Sequence, residues 1–194
     1  ASHIIGSEEA ITRIQRELTH LFQRVDAGHV EVDETRTSLS GTGGKIDVGK
    51  AGGGHWRYNA GLIWRSPELE LNDIGFLRQA DEIRQFANIS WRTLKPTASF
   101  RDIWAGFSQF STYDFDGNYN RIQYEMNANI NYNNNWWTEI GAAHKPRIFS
   151  NTVLRGGPRW RFSEENFVFA FSGSDQSKKF HSTLGYVYSG AKQD

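Results

Sequence analysis

The chain has 194 residues, 14% of them aromatic, and 22 acidic residues balance 22 basic ones, so its size allows either a buried core or a bilayer-spanning structure. No run of about 18 apolar residues occurs, which excludes a transmembrane helix, while a mean hydropathy of -0.62 is compatible with barrel strands, whose polar and apolar residues alternate. The absence of cysteine excludes disulfides, Cys-ligated zinc and thiol catalysis, and the balanced charge without a basic run leaves no footprint for nucleic acid.

At the N-terminus, residues 1–6 lack the charged and long apolar regions of a signal peptide. The expectation is a processed chain or a fragment. Between residues 7 and 23, Ile11, Ile14, Leu18 and Leu21 recur at helical spacing. Ser7 can cap this segment and Glu8 and Glu9 suit the positive helix start, so one short amphipathic helix is expected.

From about residue 34 the period changes to two. In 55–65, Trp56, Tyr58, Ala60, Leu62 and Trp64 form one face, and His55, Arg57, Asn59, Gly61, Ile63 and Arg65 form the other. In 121–132, Ile122, Tyr124, Met126, Ala128, Ile130 and Tyr132 alternate with Arg121, Gln123, Glu125, Asn127, Asn129 and Asn131, a set too polar for a buried core. Weaker alternation covers 35–51, 84–94, 99–115, 136–145, 153–162, 166–174 and 179–188, giving nine expected strands. In 99–115 aromatics fall on both faces, Ile103, Phe107 and Tyr113 against Trp104 and Phe110, so a bulge is expected there.

Short links at 52–54, 95–98, 133–135 and 163–165 interleave with longer ones at 66–83, 116–120 and 146–152. Outer-membrane barrels have short periplasmic turns and long extracellular loops. On that alternation the link 175–178 falls on the long-loop side despite its shortness, and the last strand runs toward the periplasm. The reading is all-β: an antiparallel transmembrane β-barrel segment of about nine strands, part of a larger barrel, with one short amphipathic helix near the N-terminus. Residues 1–33 form an extracellular loop segment, and 34–194 form barrel strands truncated at both ends. A soluble sandwich also alternates, but aromatics here bracket small residues, as in membrane girdles.

Inward charges supply the main candidate constellation: Arg57, Arg65, Arg92, Arg155, Arg159 and Arg161 opposite Asp102, Glu125 and Glu139, with Trp104 and Trp137 as either sugar-stacking platforms or interior packing. The competing reading is a cross-strand charge ladder that fills the barrel. In the long loop, Glu68, Glu70, Asp73, Asp81 and Glu82 could supply a glycosidase pair, although with Arg78 and Arg84 they suit loop-ordering salt bridges better. Asp114, Asp116, Asn118 and Asn120 with Glu125 follow calcium-loop spacing, yet Tyr119 stands at the glycine position and the flanks are strands, so a polar hairpin is the default. The six histidines never fall at zinc-site spacing. Gly41 to Lys45 departs from a phosphate loop, because Ile46 replaces the hydroxyl residue and a strand follows. No G-x-S-x-G elbow occurs. No metal and no cofactor is expected.

The wording of residues 65–78, RSPELELNDIGFLR, resembles a signature of one Gram-negative outer-membrane family. So do Thr35 to Gly41, Phe22-Gln23-Arg24 with Asp26, and Leu154 to Pro158, in the same order. Val25 departs from the pattern, which commonly has proline there. That family joins an N-terminal family 9 carbohydrate-binding-like module to a C-terminal β-barrel domain of unknown function. The resemblance implies an outer-membrane location in contact with lipid, further strands on both sides, and handling or transport of a polar, carbohydrate-related ligand. It carries no residue roles. Two alternatives accompany it: a scaffold for cell-surface protein partners, using the 66–83 loop and the helix, and an outer-membrane glycan hydrolase.

Overall fold

The computed structural model describes residues 1–71 and 75–192. Strand β1 (Ser2–Ile5) precedes helix α1 (Glu8–Arg16). The Ser7 hydroxyl accepts the Ala10 N–H at 3.2 Å, Glu8 and Glu9 occupy the first turn, and Arg13 and Arg16 the last, so cap and charges both suit the helix dipole. The helix ends earlier than the periodicity through 23 suggests. Glu17 is already extended and Leu21 has φ +56°, turning Leu21 and Phe22 inward while Leu18 stays exposed. Gln15 is buried on the inner face because its amide clamps the backbone of Asp33, donating to the carbonyl at 2.9 Å and accepting from the N–H at 2.8 Å.

The expected strand over 35–51 is two strands. β2 (Ser38–Gly41) pairs antiparallel with β1, and β3 (Gly43–Lys50) joins a different sheet. The break at Thr42 is held by Ser66, whose hydroxyl accepts from the Thr42 N–H at 2.8 Å. A side chain at Gly41 would collide with the Leu69 backbone. Ile11, Phe22 and Leu39 form a small core here, with Ile4, Ile14, Val30 and Val32 packed around it.

The remaining chain builds one large sheet. Strands β4 (Trp56–Arg65), β5 (Glu82–Arg92), β6 (Phe100–Tyr113), β7 (Tyr119–Tyr132) and β8 (Trp137–Lys145) follow β3 as an antiparallel meander. A short hairpin, β9 (Ile148–Ser150) with β10 (Trp160–Phe162), interrupts it before β11 (Glu164–Gly173) and β12 (Thr183–Lys192) close the order β12-β11-β8-β7-β6-β5-β4-β3. The sheet is open, with β3 and β12 as its edges. The bulge expected in β6 takes the form of register shifts against β7 between Phe100 and Asp102 and between Thr112 and Tyr113.

Of the expected strand over 153–162 only Trp160–Phe162 forms, as β10 outside the large sheet. Arg155 and Gly156 have φ +50° and +106°, and two successive left-handed residues followed by Gly157 and Pro158 make a turn rather than a ladder. The large sheet therefore has eight strands rather than nine. The segment 174–182 moves with this correction: it lies at the same end as the links 52–54, 95–98 and 133–135, where Asn135 Nδ2 donates to Asp175 at 3.3 Å, while 163–165, expected at that end, falls at the opposite one. The last strand accordingly runs toward the end that carries 66–81, 114–118 and 146–163.

Register assigns two unlike faces. Trp56, Ala60, Ile89, Phe107, Met126, Ile140, Val168 and Tyr186 share one of them, and Asn59, Asn88, Ser108, Glu125 and Glu139 share the other. Among the described residues, no fully buried hydrophobic side chain belongs to this sheet; Ile11, Leu21, Phe22, Leu39, Leu69, Leu77 and Ala80 all lie outside it.

Candidate functional site

The polar face of the sheet is laid out in rows by the strand register. Arg57, Ser90, Gly106 and Asn127 stand in one row. Arg92, Trp104, Asn129 and Glu139 stand in the next toward the short links, while Asn59, Asn88, Ser108 and Glu125 stand on the other side. Side chains of alternate residues share a face, so the expected set Arg57, Arg92, Trp104, Glu125, Trp137 and Glu139 is brought onto one surface. Glu125 accepts from Gln123 Nε2 on its own strand. Arg65 reaches only the rim, 3.5 Å from Glu82, which also holds Arg84 at 2.9 Å.

Aromatic rings lie across this face because glycines leave room. Phe86 covers Gly61, Phe169 covers Gly141, Phe171 covers Gly185 and Trp137 covers Gly173; a Cβ at any of these glycines would strike the ring. Phe167, Phe169 and Phe171 form a ladder with centroids 5.9 Å apart. The expected charge surface is thus aromatic at its β11 end. Over β3 to β6 it opens into a concavity of 760 Å³ reached by Asp47, Arg57, Asn59, Asn88, Arg92 and Trp104.

Arg155, Arg159 and Arg161 do not join this face; they lie in the β9–β10 hairpin and its turn. Arg159 is built into a cap at the long-link end. Its Nη2 donates to Asp114 at 2.7 Å, its backbone N–H donates to Asp26 at 2.7 Å, and Nε stands 3.5 Å from the same Asp26 carboxylate. Beside it, Asp81 accepts from Arg24 at 2.5 Å, His29 Nε2 at 2.9 Å and the Phe115 N–H at 2.9 Å. Arg24 and Asp81 are each 2% exposed in their side chains. A buried pair of this kind stands only when further hydrogen bonds satisfy it, and Asp81 supplies them from a left-handed backbone, φ +52°.

The loop carboxylates are engaged likewise. Glu70 meets His20 Nε2 at 2.9 Å, with His20 Nδ1 on the Pro67 carbonyl at 2.8 Å, and Glu68 stands 3.4 Å from Arg36. Arg78 is exposed. Asp73 lies outside the described residues.

The calcium-like run folds as a hairpin turn. Asp114 accepts the N–H of Asn118 at 2.8 Å and of Asp116 at 3.2 Å, and Arg159 stands where a cation would be required. Asn120 accepts the Asn151 N–H at 3.1 Å. Burial pushes the Asp114 carboxyl up, but the Asn118 N–H and the Arg159 guanidinium outweigh it and hold it below the usual carboxylate range. Among the described residues, no three His, Asp or Glu side chains gather as a metal cage.

Sequence reasoning missed Arg24, Asp26, His20, His29 and Asn151 as a cluster. A signal was present. The segments quoted for the family resemblance, 22–26, 35–41, 65–78 and 154–158, converge here: Arg36 on Glu68, Gly41 against Leu69, and Gly156 against Gln23. No curated protein and no solved structure matches the chain. A family model does match residues 13–194, nearly the whole of the sheet and the cap, and the chain belongs to that family, the domain of unknown function DUF5916.

Proposed function

We propose that the chain is a bilayer-spanning part of a bacterial outer-membrane β-barrel, with the apolar face toward lipid and the polar face toward a watery lumen that handles a polar, carbohydrate-related ligand. One observation carries the reading. An eight-stranded sheet holds no buried hydrophobic side chain, yet one of its faces is apolar from β3 to β12. Val48, Met126 and Tyr186 on it are 69%, 57% and 62% exposed. An apolar face that runs across all eight strands finds a natural cover in lipid. Backbone groups in lipid must all be paired, so β3 and β12 also need strand partners to close the barrel. The carbohydrate class rests on the indoles, amides and guanidinia of the polar face and on the module that the family resemblance implies.

Fractionation and gel mobility test this. The intact protein is expected in the detergent-extracted membrane fraction, with a folded band that shifts on heating. Recovery in buffer without detergent overturns the membrane reading. Conductance of planar bilayers holding the intact protein should fall when oligosaccharide is added.

A scaffold role is the second reading, favoured by apolar side chains that point outward from the cap: Ile5, Val25 and Phe76 are 74%, 77% and 87% exposed. A stable co-purifying partner with electrically silent bilayers supports it over transport. A glycan hydrolase has less support, since Glu68 and Glu70 already face Arg36 and His20.

A further inference from the structure

The concavity over β3 to β6 has a floor, a pair of flanking arginines and a rim. Trp104 forms the floor. A Cβ at Gly106, the next residue on the same face, would stand 2.7 Å from the far edge of the indole, so the ring lies along its own strand with one face on glycine backbone. The Trp104 side remains 37% exposed. A flat, half-covered indole is a stacking platform for an apolar ring face.

Arg57 and Arg92 flank the platform in adjacent rows, since Arg57 pairs with Ser90 and Arg92 with Trp104. The Arg57 head is fixed at the rim: its Nη1 donates to the carbonyls of Gly53, Gly54 and Trp56 at 3.3, 2.7 and 3.0 Å. Neither arginine has a carboxylate partner among the described residues. The nearest acid of the concavity, Asp47, is matched by Lys45 at 2.8 Å, leaving the site net positive. Asn59 and Asn88, directly opposite each other in the register, add amides that both donate and accept. The volume, 760 Å³, falls within the range of small-ligand sites, about 300–1,000 Å³.

From this juxtaposition we infer that the concavity binds an acidic saccharide, its pyranose ring stacked on Trp104 and its carboxylate or phosphate group held between Arg57 and Arg92. The inference rests on the reading of the polar face as a lumen and narrows the ligand class within it. Stacking and amides alone suit neutral sugars; the two uncompensated guanidinia select an anionic one, because a charge-assisted fork is the stronger contact.

Titration calorimetry of the intact protein, folded in detergent, tests the site with three probes: trigalacturonate, maltotriose and inorganic phosphate. Trigalacturonate should bind at least about tenfold more tightly than either of the others, the value of one charge-assisted hydrogen bond. Arg92→Gln should remove that preference by weakening trigalacturonate far more than maltotriose, whereas Trp104→Leu should weaken both saccharides. Heat-modifiable mobility checks that each variant folds. Equal affinity for the two saccharides, phosphate binding as tight as trigalacturonate, or indifference to Arg92→Gln overturns the inference. If the folded barrel binds neither saccharide, the inference fails while the membrane reading stands. If the protein needs no detergent, the membrane reading fails and the same titration in buffer still decides the saccharide preference.

Discussion

The sheet and the cap solve the problem of unsatisfied surface in opposite ways. In the sheet the backbone is paired strand to strand by regular antiparallel ladders, and apolar side chains are left open. In the cap the backbone is irregular, and side chains do the pairing, across separations as long as that between Asp26 and Arg159. The first solution is repetitive. The second concentrates its stability in a few buried charges, each of which is costly to strand alone.

The sharpest test of that contrast is Asp81→Asn. Arg24 would be left buried and charged with its carboxylate gone, a loss of about 3–5 kcal/mol, expected as a marked drop in the denaturant midpoint of the cap followed by hydrogen exchange at residues 19–24 and 80–82. Adding Arg24→Met to Asp81→Asn should recover much of it, since no buried charge is then left without a counter-charge while the amide oxygen still accepts from the Phe115 N–H. If the single change leaves exchange unaltered, the cap is not held by this pair.

The sheet should respond by face rather than by partner. Ala128→Arg puts a charge at mid-strand on the apolar face, and Asn127→Arg puts the same charge one residue away on the polar face. In vesicles, the first should lower folding stability by about 2–4 kcal/mol and the second by much less, the depth-dependent cost of a cation facing lipid. Equal effects of the two in urea titrations would end the assignment of the apolar face to lipid.

The same contrast explains what could be read from the sequence. Strand faces are written locally, in a period of two: the sets beginning at Trp56 and Ile122 land on one face as the alternation says. Ser7 and its following acids mark the helix start just as locally. The phase was lost where turn geometry rather than alternation decides. Val153 to Phe162 alternates well enough, but Arg155 and Gly156 take left-handed conformations, and the segment becomes a hairpin that pairs Trp160 with Ser150. Arg159 left the expected lumen with it. Of the residues expected on one face, the sheet members share it and the hairpin arginines do not, because Asp26 and Asp114 reach Arg159 from segments with no shared period.

Acidity separates the two regions last and most gently. The Asp114 carboxyl sits below its ordinary range because the Asn118 N–H and Arg159 favour the charged form more than burial opposes it. A carboxyl whose folded pKa is depressed contributes stability that is fully present above the unfolded value, about 3.9, and that is lost as pH falls through the lower folded value. The cap should therefore hold through the mildly acidic range and loosen only below about pH 4, when Asp114 takes a proton and Arg159 keeps only Asp26. Asp114→Asn removes the titration, so the variant's cap should be weaker at neutral pH and flatter in its acid dependence than the parent. The sheet between 119–132 and 137–145 should show no matching step from this residue, because among the described residues the Asp114 side chain bonds within the cap. Hydrogen exchange at pH 3.5 and 6, read separately for cap and sheet, distinguishes the cases; a sheet that loosens together with the cap would mean that the two are one cooperative unit.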